Sequence, residues 1–283
     1  MIQEVACLPP ISLWSKAASP DELKNYVVLM MPILVQVINL DRSPERLPAI
    51  GNDLDLAGLQ WSRLRAVEPD TDYVTAIDVY DNARANYLFG RDLTRGEVGC
   101  FLSHLEALRA LSQSGYYIGL ILEDDAQLFH DAAPMIAEIS AALTGKVPHW
   151  ACVNLSYTTH LRRRSVASFT DNTLYRAYQF PLLASALLWR TEQAKVFVQW
   201  CEATGIYAPF DNQLRDWIAL GYHGISCQRP PVQLRAFPST IADRPSATSA
   251  SGDVPRKNKF SKYELRQKLP LYWRSGVSYL TRR

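Results

Sequence analysis

Apolar positions recur along the chain with two different periods, and the way these alternate predicts an α/β protein. Residues 32–40, Pro-Ile-Leu-Val-Gln-Val-Ile-Asn-Leu, are almost unbroken in apolar character and read as a first core strand. Asp41-Arg42-Ser43-Pro44-Glu45-Arg46 follows, with Ser43 at a helix N-cap position and Pro44 at the first helical position, so a helix is expected through residues 47–56. A short second strand is predicted over 63–67 and a long polar loop over 68–92. Cys100, Phe101, His104, Leu105, Leu108 and Leu111 return at helical spacing and mark a helix over 94–112.

In Gly119-Leu120-Ile121-Leu122-Glu123-Asp124-Asp125 a short apolar run ends in three carboxylates. The run reads as a buried strand whose acids emerge at its carboxyl end, where open α/β sheets bind ligands. Further on, the pattern predicts a helix over 133–143, a strand over 150–155 and a polar insertion opened by Arg162-Arg163-Arg164. Residues 174–177 and 184–189 read as paired strands, Thr191 as the cap of a helix to residue 200, and Phe210 as the start of another helix. The first half implies a parallel sheet with helices on both faces; the second half is mixed.

Composition narrows the class. Nearly half of the 283 residues are hydrophobic and a fifth are charged, as in an ordinary globular protein. The cysteines at 7, 100, 152, 201 and 227 show neither CxxC spacing nor even pairing, and the histidines form no HExxH or HxH pair. Carboxylates are thus the expected metal ligands, and oxygen ligation favours Mg²⁺ or Mn²⁺. No run approaches the ~18 apolar residues of a membrane span, and Glu4 with early prolines argues against a secretory signal.

The net charge of +2 hides an asymmetry. Nine Lys/Arg and one acid after residue 255 give that segment +8, which leaves −6 for the rest. Phe260, Tyr263, Leu271, Tyr272, Trp273 and Tyr279 are interleaved with those charges. Such a tail suits an anionic membrane surface, and it equally suits a C-terminal helix packed on the body. The expected organisation is an extension over 1–30, a catalytic domain over 31–245, and a linker with the basic tail over 246–283.

Four segments, in order, resemble glycosyltransferase family 25: residues 37–46, then Gly96-Glu97-Val98-Gly99-Cys100-Phe101-Leu102-Ser103-His104, then Leu122-Glu123-Asp124-Asp125-Ala126, and more weakly Pro209-Phe210-Asp211. The resemblance implies a GT-A-like fold, a UDP-sugar donor such as UDP-galactose, Mn²⁺ or Mg²⁺, inversion at the anomeric carbon, and a lipopolysaccharide-type or other cell-envelope glycan as acceptor. The lack of a span and of a signal, with the basic tail, leads to the expectation of a cytoplasmic protein with peripheral contact at the inner face of the membrane and no nucleic-acid partner.

Sugar transfer requires the departing diphosphate to be neutralised and the acceptor hydroxyl to lose its proton. Asp125 is the leading metal ligand, with Glu123 as its partner, because strand alternation sends both to one face, leaving Asp124 toward ribose or a basic neighbour. Asn39, Arg42, Arg46, Glu97 and Ser103 join Asp124 as expected donor-binding residues; Arg42 and Arg46 have the alternative of pairing with Asp41 and Glu45, and Glu97 that of capping its helix. His104 is a catalytic candidate on the motif match and a core histidine without it. Asp211 is the expected general base, and alternatively the N-cap of the helix at Asn212. A catalytically inactive carbohydrate-binding relative and a metal-dependent phosphohydrolase are the competing functions.

Overall fold

The computed structural model describes residues 32–68, 79–147, 149–160, 162–169 and 171–237; the extension over 1–30 and the linker and basic tail over 246–283 lie outside these. Its centre is an eight-stranded sheet in the order β2-β1-β3-β8-β5-β9-β7-β6, with a separate two-stranded ribbon of β10 and β4. In chain order the strands are β1 (Ile33–Asn39), β2 (Trp61–Arg65), β3 (Ile118–Glu123), β4 (Ala126–Leu128), β5 (Trp150–Asn154), β6 (Arg163–Phe169), β7 (Asn172–Ala177), β8 (Ala186–Arg190), β9 (His223–Cys227) and β10 (Val232–Leu234). The helices are α1 (Leu47–Leu56), α2 (Asn82–Leu88), α3 (Arg95–Gln113), α4 (Ala132–Lys146), α5 (Thr191–Thr204) and α6 (Phe210–Ala219).

The α/β class with a central sheet between helices is as expected. β1 pairs in parallel with both β2 and β3, and β5 with β9, whereas β8 runs antiparallel to both β3 and β5. Residues 174–177 and 184–189 are strands but not partners, contrary to expectation: β7 pairs with β6 and β9. The reason is burial. Ala186, Leu187, Leu188 and Trp189 are wholly enclosed, so β8 takes the middle of the sheet, while half-exposed β6 forms its edge.

Alternation along β3 divides the core. Leu120 and Leu122 join the apolar layer that covers α1 and α4, and Ile121 joins the layer under α3, α5 and α6. Gly119 shares the Ile121 face and allows α3 to lie close, because a β-carbon there would stand 2.6 Å from Leu111 Cδ2. Glu123 therefore also points toward α3.

Three local expectations need correction. Pro44–Arg46 is a short 3-10 turn and α1 begins at Leu47, with no capping bond from the Ser43 side chain. The polar stretch over 68–92 contains α2, capped by Asp81, whose carboxylate accepts from the Arg84 amide; its seven-residue length gives too little periodicity to read. Arg163 and Arg164, read as a polar insertion, belong to β6, which tolerates them because one of its flanks is solvent.

Candidate active site

Parallel register sets Ile38 beside Glu123, so the loop after β1 and the turn after β3 emerge side by side at the carboxyl ends of their strands. Between them and the first turns of α3 and α6 lies a cleft of about 360 Å³. Arg42, Arg46, Glu97, Ser103, His104, Glu123, Asp124, Asp125 and Asp211 all border it; Asn39 does not.

The strand ends at Glu123, and Asp124 and Asp125 form the turn before β4, so alternation does not carry through to Asp125 as expected. Asp124 is buried and turned toward a basic neighbour. It accepts from Asn39 Nδ2 at 2.8 Å and from Arg46 Nη1 at 3.3 Å. Burial nevertheless raises its pKa, against the opposing pull of Asn39 and Arg46. Asn39 is fully engaged: Nδ2 also donates to the Ser43 carbonyl, and Oδ1 accepts from Arg63 Nε at 2.9 Å. It lies beneath the cleft, where it joins β1, the loop and the acidic turn. Its side chain thus links the strand end, the loop and the acidic turn and does not border the cleft.

Asp125 differs. Its Oδ1 is buried and has no hydrogen-bond partner, and its backbone carbonyl accepts from the Arg235 amide at 2.7 Å. Burial first, and then repulsion from Glu123 and Asp124, pushes its pKa up to about 7. A buried carboxylate oxygen with no donor to meet it, on a residue that borders the cleft, is one a hard divalent cation would use.

Glu123 meets His104. His104 Nε2 lies 3.0 Å from Glu123 Oε1, and Cys100 Sγ lies 3.8 Å from the same oxygen. The imidazole is 1 % exposed and stacks on Phe210 with ring centres 4.1 Å apart. Cys100, His104 and Glu123 hold their donor atoms within 4.8 Å of one another. Carboxylates are therefore not the only metal-ligand types gathered here; helix spacing placed Cys100 and His104 together, but only strand pairing brought Glu123 to them.

The remaining residues divide by what already engages them. Glu97 completes a capping box with Thr94 and takes two bonds from Arg91, so its carboxylate secures the start of α3. Ser103 Oγ donates to the Gly99 carbonyl and accepts from the Val67 amide, tying the segment after β2 to α3. Arg42 is half exposed and faces Glu68 at 3.7 Å, not Asp41, which instead receives Arg63 and Arg65. Arg46 pairs with Asp124 and lies 5.2 Å from the centre of the Phe237 ring. Asp211 sits inside the first turn of α6, whose N-cap is Pro209, so it is not the cap; its Oδ1 accepts from the Asn212 amide at 2.9 Å.

Two residues at the cleft had no signal in the sequence. Arg235 reaches the Ala126 and Ala49 carbonyls and pairs with Asp53 at 2.5 Å, and Phe237 covers Arg46. Only the β10–β4 pairing, across more than a hundred residues, carries them to the site.

A profile of glycosyltransferase family 25, described as an LPS biosynthesis protein, matches residues 32–179, or 148 of 283. The chain belongs to glycosyltransferase family 25. It is accordingly a glycosyltransferase, and the family profile covers β1, α3 and the acidic turn, whereas Asp211 and Arg235 lie beyond it. No curated protein sequence matches the chain. No described helix is long and apolar enough to cross a membrane.

The acidic turn offers oxygen donors of the kind a hard divalent ion takes. Asp125 offers a buried, unpartnered oxygen and Glu123 a partly exposed one, and Arg46 holds the intervening Asp124 away in an ion pair.

Proposed function

We propose that this family 25 enzyme moves a hexose, galactose first among the candidates, from a UDP-sugar to a lipopolysaccharide-type or other cell-envelope glycan, with inversion and with Mn²⁺ or Mg²⁺ on a GT-A-like scaffold. The reading rests chiefly on Asp125, which borders the same cleft as Arg42 and Arg46 and whose buried Oδ1 has no hydrogen-bond partner.

Asp125 and Glu123 would hold the cation, which when bound neutralises the diphosphate as it leaves. Arg42, half exposed at the mouth of the cleft, is placed to add positive charge near the phosphates. Asn39 and Arg46 keep Asp124, and with it the whole turn, in one conformation, so Asp125 is aimed before donor arrives. His104 holds Glu123 through Nε2 and is itself held flat by Phe210. In this reading His104 acts as a positioning residue.

Asp211, on the first turn of α6, serves as general base for the acceptor hydroxyl. Asp211 borders the cleft from the first turn of its helix, the position an acceptor-side base would need. The basic, aromatic segment after residue 255 supports acceptor encounter at an anionic membrane surface.

Purified protein should bind UDP-sugars more tightly with Mn²⁺ present and should slowly release UDP, both measurable by thermal shift and by coupled assay. Absence of binding across UDP-galactose, UDP-glucose and UDP-N-acetylhexosamines would refute the donor class. Phosphate release from simple esters would favour a hydrolase instead.

A further inference from the structure

Cys100 and His104 stand one helical turn apart on the same face of α3, and Glu123 leaves the end of β3 to meet both. The Nε2–Oε1 and Sγ–Oε1 separations are 3.0 and 3.8 Å, and all three donors lie within 4.8 Å of one another. Ligands of a tetrahedral zinc ion, at ~2.0–2.3 Å from the metal, sit roughly 3.3–3.7 Å apart. The cluster is therefore close to that spacing already. All three residues border the cleft, which supplies an entry path and an open fourth position.

We propose that Cys100, His104 and Glu123 form a second cation site, selective for thiophilic divalent ions such as Zn²⁺, whose occupation switches off transfer. A sulfur, an imidazole nitrogen and one carboxylate suit zinc, whereas Mg²⁺ and Mn²⁺ prefer oxygen throughout. Inhibition rests on the reading of Glu123 as a ligand of the catalytic cation, since an ion held by Cys100 and His104 competes for the same carboxylate. Binding releases the Cys100 thiol proton to solvent and, with Nε2 as the ligand, requires the His104 proton to sit on Nδ1. Nδ1 is buried without a partner, so no acceptor backs that proton. The site should accordingly bind about 10–100-fold more weakly than one whose histidine is supported by a second carboxylate. Weak, reversible occupancy is what distinguishes a regulatory site from a structural one.

The test is titration of the full-length protein with Co²⁺ as a spectroscopic stand-in, and with Zn²⁺ by calorimetry, both without nucleotide. One equivalent of Co²⁺ should produce a thiolate-to-cobalt charge-transfer band that Zn²⁺ removes and excess Mg²⁺ does not. Cys100→Ser should abolish the band, weaken Zn²⁺ binding at least ~10-fold and leave transfer resistant to Zn²⁺. Cys152, Cys201 and Cys227 are buried, so Cys7→Ser, which should retain the band, is the control. Absence of a band in the unaltered protein, or a band that survives Cys100→Ser, overturns the site. Zn²⁺ bound at Cys100 without loss of transfer overturns its inhibitory role. Asp125→Asn separates the two readings, because it should keep the Co²⁺ band while losing Mn²⁺-enhanced donor binding.

Discussion

Replacing Asp125 by Asn should stabilise the metal-free protein while destroying its response to a divalent cation. Burial and the charges of Glu123 and Asp124 push the Asp125 pKa from 3.8 to about 7, which means the fold holds this carboxylate at a disadvantage once it is ionised. At ~1.4 kcal/mol for each tenfold in the proton equilibrium, that gap corresponds to roughly 4 kcal/mol at pH well above 7. Asn removes the charge but introduces an amide whose N–H groups must find partners, a cost of ~1–3 kcal/mol. A net gain of about 1–3 kcal/mol remains, or roughly 2–10 °C in Tm for a domain of this size. The sign follows from the direction of the perturbation: an acid whose folded pKa is raised costs nothing below its unfolded pKa, and its penalty grows as pH rises toward the folded value. Asn should thus be the less stable form near pH 4 by its amide cost, overtake Asp between about pH 4 and 7, and hold a level advantage above. Differential scanning fluorimetry across this range measures it, with Mn²⁺ added in parallel. Mn²⁺ should raise the Tm of the Asp protein and leave that of the Asn protein unmoved. Equal Tm at pH 8 without metal, or an equal Mn²⁺ response in both, would refute the account of Asp125.

Arg46→Ala removes one of the two donors to buried Asp124 and should cost about 2–4 kcal/mol in urea unfolding, because the carboxylate stays behind without its cation. Gly119→Ala places a methyl against fully buried Leu111 and should cost ~1–3 kcal/mol; since α3 must back away from β3, the His104–Glu123 contact lengthens and donor affinity falls with stability. Asp211→Asn should abolish transfer yet leave UDP-sugar affinity intact by calorimetry, and loss of donor affinity would contradict its role as base. Deleting residues 256–283 should weaken sedimentation with anionic liposomes while transfer to a soluble acceptor persists; unchanged sedimentation would remove the membrane reading.

How far the sequence reached depended on whether the signal was local. β1, α3, β3 and β5 were legible because each is long or wholly buried, and the capping box at Thr94 and Glu97 announces α3 by itself. α2 and β10 were not, being too short to show a period. Glu97 and Ser103 were marked for the site by the motif match. The fold shows them securing the start and middle of α3.

By itself, then, the sequence determined the α/β class, the family and the three carboxylates at a strand end, since each depends on residues adjacent along the chain. Tertiary structure alone decided their separate fates. Asp124 is held by Asn39 and Arg46, Glu123 is met by His104 and Cys100, and Asp125 keeps an oxygen with no partner. Those differences come from which strand lies beside β3 and which helix packs on it, and pairing of that kind is set by burial summed over the whole sheet rather than by any local run of residues.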